Sequence, residues 1–207
     1  GDAQKDRKIL KQSGVDASGL ITDATRPSIS KTRYMKGEEH LLRVDIEETH
    51  PMSGDVEAKA KAAFSDILPQ AQVIVLSDYS KGFLTPSFLQ FAIEAAQEAK
   101  KPVLVDPKGS DWMRYSGASI ITPNLFEITQ LVGSWSCESE LKDKVYAIMQ
   151  KFNFENLLLT RSKDGMTLFK PDSMISIPSE AREVADVSGA GDTVIATATL
   201  CISLRIF

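Results

Sequence analysis

Apolar positions fall into two different rhythms along this chain. From Pro27 to Asp45, the runs RPSISKTRYM and HLLRVDIEE alternate polar and apolar residues around Lys36 and Gly37, which predicts a two-stranded antiparallel hairpin. Such a ribbon cannot cover its own apolar face, so it must lie on the rest of the chain or pair with another subunit. A short helix precedes it, with Ile9 and Leu10 set among charged residues and a stop at Gly14.

From Ala58 onward, short apolar runs alternate with helical stretches. EAKAKAAFSDIL leads into QVIVLSDYSKG, and a helix from Pro86 to Lys100 leads into PVLVDPKG. ASIITPN follows, then a helix over LFEITQLVG, a helix from about Glu138 to Phe152, and NLLLTRSKDG. Strands of four to six apolar residues separated by helices predict a parallel sheet with right-handed crossovers, each strand buried on both faces. MTLFK and SMISIP, joined by Pro171 and Asp172, are expected as an antiparallel addition at one edge. The fold class is α/β, a three-layer αβα sandwich with a mainly parallel sheet. Residues 1–207 are read as a single domain, with a protruding β-ribbon at 26–46.

Composition narrows the partners more than the fold. The chain has 207 residues, 43% of them hydrophobic, and a net charge of −4, which is globular and not disordered. Weak acidity gives no electrostatic reason for a nucleic-acid or membrane partner. No stretch is long enough for a membrane helix and GDAQKDRKIL lacks a signal core, so a cytoplasmic location is expected. Cys137 and Cys201 stand far apart with no C-x-x-C, and His40 and His50 are isolated, so neither disulfide nor zinc chemistry is supported. The apolar run TVIATATLCISLRIF ends without a cap, which leads to the expectation that this is a piece of a longer chain.

Ligands of parallel sheets sit beyond the carboxyl ends of the strands. Those ends carry Asp78, Tyr79 and Lys81; Asp106 and Lys108; Thr122, Asn124 and Glu127; and Thr160, Arg161 and Gly165. Parallel topology puts them on one rim. The sharpest motif is DVSGAGDT, Asp186 to Thr193, at the start of the last helix. Gly189, Ala190 and Gly191 let backbone N–H groups approach an anion where the helix dipole favours negative charge. Taken alone, the motif fits equally a phosphate cradle and a Gly-rich turn that Asp192 helps to cap. There is no G-x-x-x-x-G-K-[ST], and G-A-G-D fails G-x-G-x-x-G, so P-loop and dinucleotide-binding readings are set aside.

DVSGAGDT resembles the C-terminal signature D-[TSV]-x-G-A-G-D of the ribokinase-like (PfkB) carbohydrate kinases. VIVLSDYSKGFL, VLVDPKGSDWMRYSGASIITPNLFE and LLLTRSKDGMTLF are similar, in the same order, to the branch that phosphorylates D-glycero-β-D-manno-heptose 7-phosphate on the ADP-heptose pathway to lipopolysaccharide. The resemblance implies a bacterial, ATP-dependent phosphotransferase acting on the C1 hydroxyl, with Mg²⁺. It implies Asp192 as catalytic base, with Gly189, Ala190 and Gly191 as the anion hole. It places Asn124, Leu125, Phe126 and Glu127 beside the nucleotide, Glu127 reaching the metal through water, and Thr160 and Gly165 along the nucleotide site. Asp106 and Lys108 fall to the phosphate side, and Arg33 on the ribbon to the sugar phosphate.

In relatives the ribbon is a lid and often a dimer clasp, so a homodimer through it is expected. The family has further strands before this sequence and further sequence after it, and the bifunctional relatives carry a nucleotidyltransferase domain of which these residues show no trace. Two alternatives stand beside the heptose kinase. One is another PfkB-type sugar or nucleoside kinase, and the other a non-catalytic, nucleotide-binding or dimerising remnant.

Overall fold

A computed structural model describes residues 2–37, 39–180, 189–204 and 206. The chain forms two compact units, one from residues 1–67 and 80–88, the other from 68–79 and 89–207.

In the first unit, helix α1 (Asp2–Gln12) precedes strands β1 (Ser30–Lys36) and β2 (Glu39–Ile46), and helix α2 (Gly54–Ile67) follows. The strands form the expected antiparallel ribbon, with a bulge between Tyr34 and Met35. Tyr34 faces Leu42, Thr32 faces Val44 and Ser30 faces Ile46, so one side of the ribbon is apolar. The other side pairs Arg33 with Arg43 and Lys31 with Asp45. Every ribbon position is exposed.

The second unit is built on β3 (Ile74–Ser77), β4 (Val103–Asp106), β5 (Ile120–Ile121), β6 (Asn156–Thr160), β7 (Met166–Lys170) and β8 (Ser173–Ile177), which form one six-stranded sheet in that order. The pairings β3–β4, β4–β5 and β5–β6 are parallel, and β6–β7 and β7–β8 antiparallel. Strand order follows chain order, as short crossovers require. These crossovers are α3 (Pro86–Glu98), α4 (Leu125–Val132) and α5 (Glu138–Phe152), and α6 (Ala190–Ser203) closes the described chain.

Period-two alternation divides the strand residues between two layers. Leu104, Leu158 and Leu168 meet Ile195 and Ala198 of α6 on one face. Phe169 points to the other, where Tyr146 of α5 stacks on it edge-to-face at 6.0 Å. Each fully buried leucine contributes about 2 kcal/mol. This is the expected sandwich, with three differences. β5 keeps only two residues of its predicted strand. Val75 on edge strand β3 is 40% exposed, and Met174, Ile175 and Ile177 on edge strand β8 are exposed as well. An apolar run predicts a strand but does not say which faces are covered. Among the described residues, no helix is long and apolar enough to cross a membrane.

Candidate functional site

The rim predicted from the strand ends is real. Backbone pairing sets it: the Asp78 N–H donates to the Asp106 carbonyl at 3.0 Å, and Thr122 N–H to the Val105 carbonyl at 2.9 Å. Asn124 is bridged in parallel to Thr160, whose N–H donates to the Pro123 carbonyl at 2.9 Å. Four neighbouring strands therefore end level.

At the end of β5, Asn124 caps α4. Its side chain accepts from the Glu127 N–H at 2.9 Å, and Glu127 Oε2 accepts from the Asn124 N–H at 3.0 Å. This reciprocal capping box explains why N-x-x-E opens a helix here, since it satisfies two orphan donors. It also fixes Glu127, which is buried, with Oε1 turned to Lys108 Nζ at 3.0 Å.

The loop after β4 is held from below. Tyr115 and Trp112, both fully buried, lie in a short 3-10 turn. The Tyr115 hydroxyl donates to Asp78 Oδ2 at 2.6 Å and accepts from the Lys108 N–H at 3.2 Å, and Trp112 Nε1 donates to the Gly109 carbonyl at 3.0 Å. Burial, then the bond to Asp78, pushes the phenol well above its usual range, so it stays protonated. Arg114 adds an ion pair to Asp78 at 3.5 Å. Nothing periodic in GSDWMRYSG marks this anchor. Asp78 and Tyr79 were visible as strand-end residues, but their partners were not.

Gly189 opens α6 in the left-handed region, φ 78°, which favours glycine. The first helical bond runs from Thr193 N–H to the Gly189 carbonyl, leaving the amides of Ala190, Gly191 and Asp192 without a helical acceptor. Around Gly189 and Gly191, nothing among the described residues lies within 4 Å of where a Cβ would stand. Asp192 accepts from the Tyr79 hydroxyl at 3.2 Å. Asp186, Val187 and Ser188 of the same motif lie outside the described residues.

Two open cavities meet at this helix start. One, of about 200 Å³, is lined by Asp78, Tyr79, Asp106, Lys108, Gly189 and Asp192, with Asn124, Glu127 and Gly191. The second, of about 630 Å³, is lined by Leu125, Phe126, Thr160, Gly165, Met166 and Ala190, and shares Asp106, Asn124, Glu127 and Gly191 with the first. Its walls are more apolar, and Phe126 is 68% exposed there. Every site residue expected from sequence is thus brought to this rim except Arg33, which stands on the polar side of the ribbon in the other unit. Lys81 also belongs to that unit, where it pairs with Glu47 at 2.5 Å. Ser162, Pro178, Ser179 and Glu180, in turns and loops, and Val194, in the second turn of α6, line the larger cavity and belong to no motif read from the sequence.

Among the described residues lining the smaller cavity, Lys108 is the one cation beside Asp78, Asp106, Glu127 and Asp192. Burial pushes the Asp106 carboxyl up from 3.8 to about 6, helped by the charges of Glu127, Asp192 and Asp78 and opposed by Lys108. Among the described residues, no three His, Cys, Asp or Glu side chains converge into a metal cage. The donors present are carboxylate and amide oxygens. They suit a hard, hydrated divalent cation that takes most of its ligands from water and phosphate, and the uncompensated charge at Asp106 gives such a cation a reason to bind.

Residues 2–204 match the pfkB family of carbohydrate kinases. A protein of Shewanella sediminis named "Bifunctional protein HldE" is 49% identical over 174 residues, covering 82% of this chain and 35% of that protein. Its namesake from Pelobacter propionicus is 40% identical over 202 residues, covering 95% and 41%. The chain therefore spans well under half the length of these relatives. Among solved structures, ribokinase of Giardia lamblia superposes with a TM-score of 0.72 at 17% identity, over 98% of this chain and 62% of that one. Arabidopsis thaliana ribokinase, complexed with ribose and ATP, gives 0.67 at 20% identity, over 94% and 64%. At such identities the structures speak for the fold alone, and the family match supplies the rest: the chain belongs to the pfkB family of carbohydrate kinases.

Proposed function

We propose that this chain is the kinase part of a protein that transfers the γ-phosphoryl group of ATP to the C1 hydroxyl of D-glycero-β-D-manno-heptose 7-phosphate. The product, heptose 1,7-bisphosphate, would feed ADP-heptose and lipopolysaccharide core synthesis. One observation carries the reading. Gly191, in the first turn of the Gly-rich helix, lines both cavities, so a phosphoryl group held there is reachable from either side. The larger, more apolar cavity suits a nucleotide base and ribose, and the smaller, carboxylate-lined one an acceptor hydroxyl. DYSKG, DPKG and TPNLFE support the heptose branch, as does the identity to the bifunctional relatives.

Family members use ATP with a divalent metal, and we assign Mg²⁺, reached by Glu127 through water, with Asp106 beside it. Its charge would offset that of the phosphates. The residues supply placement and the remaining charge balance. Asp192 takes the proton of the acceptor hydroxyl as it attacks. The amides of Ala190, Gly191 and Asp192 hold the transferring group, and Lys108 meets its negative charge. A loose transition state asks for positioning and charge neutralisation more than a strong base, so no histidine is needed. Arg33 is assigned to the sugar phosphate, and the ribbon to lid and homodimer contact. Its exposed apolar side supports the latter.

The test is turnover with Mg-ATP, following ADP release and identifying the product by mass spectrometry. Heptose 7-phosphate is expected to outperform ribose and fructose 6-phosphate. Asp192→Asn is expected to lower kcat by about 10²–10⁴ while nucleotide binding by calorimetry persists. Preference for an unphosphorylated sugar would remove the heptose assignment, and unchanged turnover in the variant would remove Asp192 as base.

A further inference from the structure

The ion pair between Lys108 and Glu127 joins two unequal partners. Glu127 is buried and held: its side chain is 6% exposed, and Oε2 is bound into the α4 cap. The Lys108 side chain is 52% exposed, yet its backbone is pinned, because its N–H donates to the buried Tyr115 hydroxyl. The ammonium therefore sits on a flexible four-carbon stem that swings from a fixed pivot. Asp106, Glu127 and Asp192 line the same cavity as Lys108, as do Gly189 and Gly191 at the helix start.

A buried carboxylate demands a positive partner. In this structure Lys108 supplies it, on Glu127 Oε1. A divalent cation arriving at this rim would satisfy Glu127 in its place, and two cations crowded on one carboxylate repel each other. We propose that Lys108 is an exchangeable counter-ion: it holds Glu127 when no divalent cation is bound, is displaced when one binds, and is thereby delivered to the phosphoryl group at the start of α6. The ammonium thus stays off the anion hole until the cation is in place. This rests on the kinase reading for its last step only, since the exchange itself concerns the metal and two side chains of the chain alone.

The probe is Mn²⁺ alone, titrated into the full chain without nucleotide and followed by electron paramagnetic resonance. Removing the competing charge in Lys108→Met is expected to tighten Mn²⁺ about three- to tenfold, while kcat falls. Lys108→Arg, which keeps a charge, is expected to bind Mn²⁺ as the parent does. Unchanged or weaker Mn²⁺ binding in Lys108→Met, or no binding in either protein, overturns the proposal. A second measurement needs no variant. Lysines labelled by reductive ¹³C-methylation should show the Lys108 resonance moving toward that of a free lysine on addition of Mg²⁺ alone, and an unmoved resonance overturns the exchange. If the parent protein fails to phosphorylate heptose 7-phosphate, the function proposed above falls, yet both metal titrations still decide this one.

Discussion

Gly191 has room for a side chain and does not use it. A Cβ there would meet no atom of the described residues within 4 Å, and the residue is helical, where alanine is better than glycine by up to about 1 kcal/mol. Gly191→Ala is therefore expected to leave the melting temperature unchanged or raise it slightly, while lowering phosphoryl transfer by about tenfold or more by intruding on the anion's place. Calorimetry and a coupled assay on the same preparation separate the two effects. Asp106 shows the same tension in its charge. Its folded carboxyl titrates near 6 against an ordinary 3.8, so the fold favours the protonated form. At acid pH below both values nothing is lost. As pH rises, the unfolded chain ionises first, and stability falls until the folded pKa is passed. Asp106→Asn is thus expected to raise Tm by about 2–4 °C near pH 7.5, a gain that shrinks toward zero as pH falls to about 4, while activity drops. Asp192, Asn124 and Glu127 were legible in the sequence because each stands in a motif whose spacing has a mechanical meaning. Tyr115 was not, because a buried phenol shows itself only through its partners, here Asp78 and the Lys108 amide.

The turn between β6 and β7 sets one wall of the larger cavity. Gly165 lies there at φ 87°, and a Cβ on it would stand 2.1 Å from the Ile177 carbonyl of β8. Gly165→Ala must strain the turn or push β8 away, and is expected to cost about 2–3 kcal/mol in urea unfolding. Weaker nucleotide binding should accompany that loss. A purely ligand-contacting glycine would lose affinity without losing stability, so the two measurements tell which role it has. At this scale the helices and the parallel strands were readable from period and punctuation, while the capping box that opens α4 and the left-handed Asn153 that ends α5 emerged with the structure. The exposure of Val75 and of β8 was not, since Val, Ile and Met make the same strand pattern whether or not a neighbour covers them.

For the whole molecule, the ribbon carries the homodimer proposal. Tyr34, Leu42, Val44 and Ile46 share its apolar side and are all exposed. If that side pairs with a second copy, the double variant Leu42→Asp, Val44→Asp should sediment as a monomer where the parent sediments as a dimer. The far-ultraviolet circular dichroism should be unaltered. Equal sedimentation of the two would remove the dimer assignment. The division into two compact units left no trace in the sequence, because residues 80–88 join the first unit across an intervening stretch and composition does not shift at either crossing. Another long-range tie, within the second unit, has a practical use. Arg161, at the end of β6, bonds through its guanidinium to Glu138, the first residue of α5, and Cys137 beside it is exposed. Arg161 also closes its own turn, its N–H donating to the Gly165 carbonyl at 2.8 Å. A fluorophore on Cys137, with Cys201 changed to serine, would thus sit one ion pair away from the wall of the larger cavity. The molecule carries its own attachment point for reading occupancy of that cavity in real time, without a dye in the cavity itself.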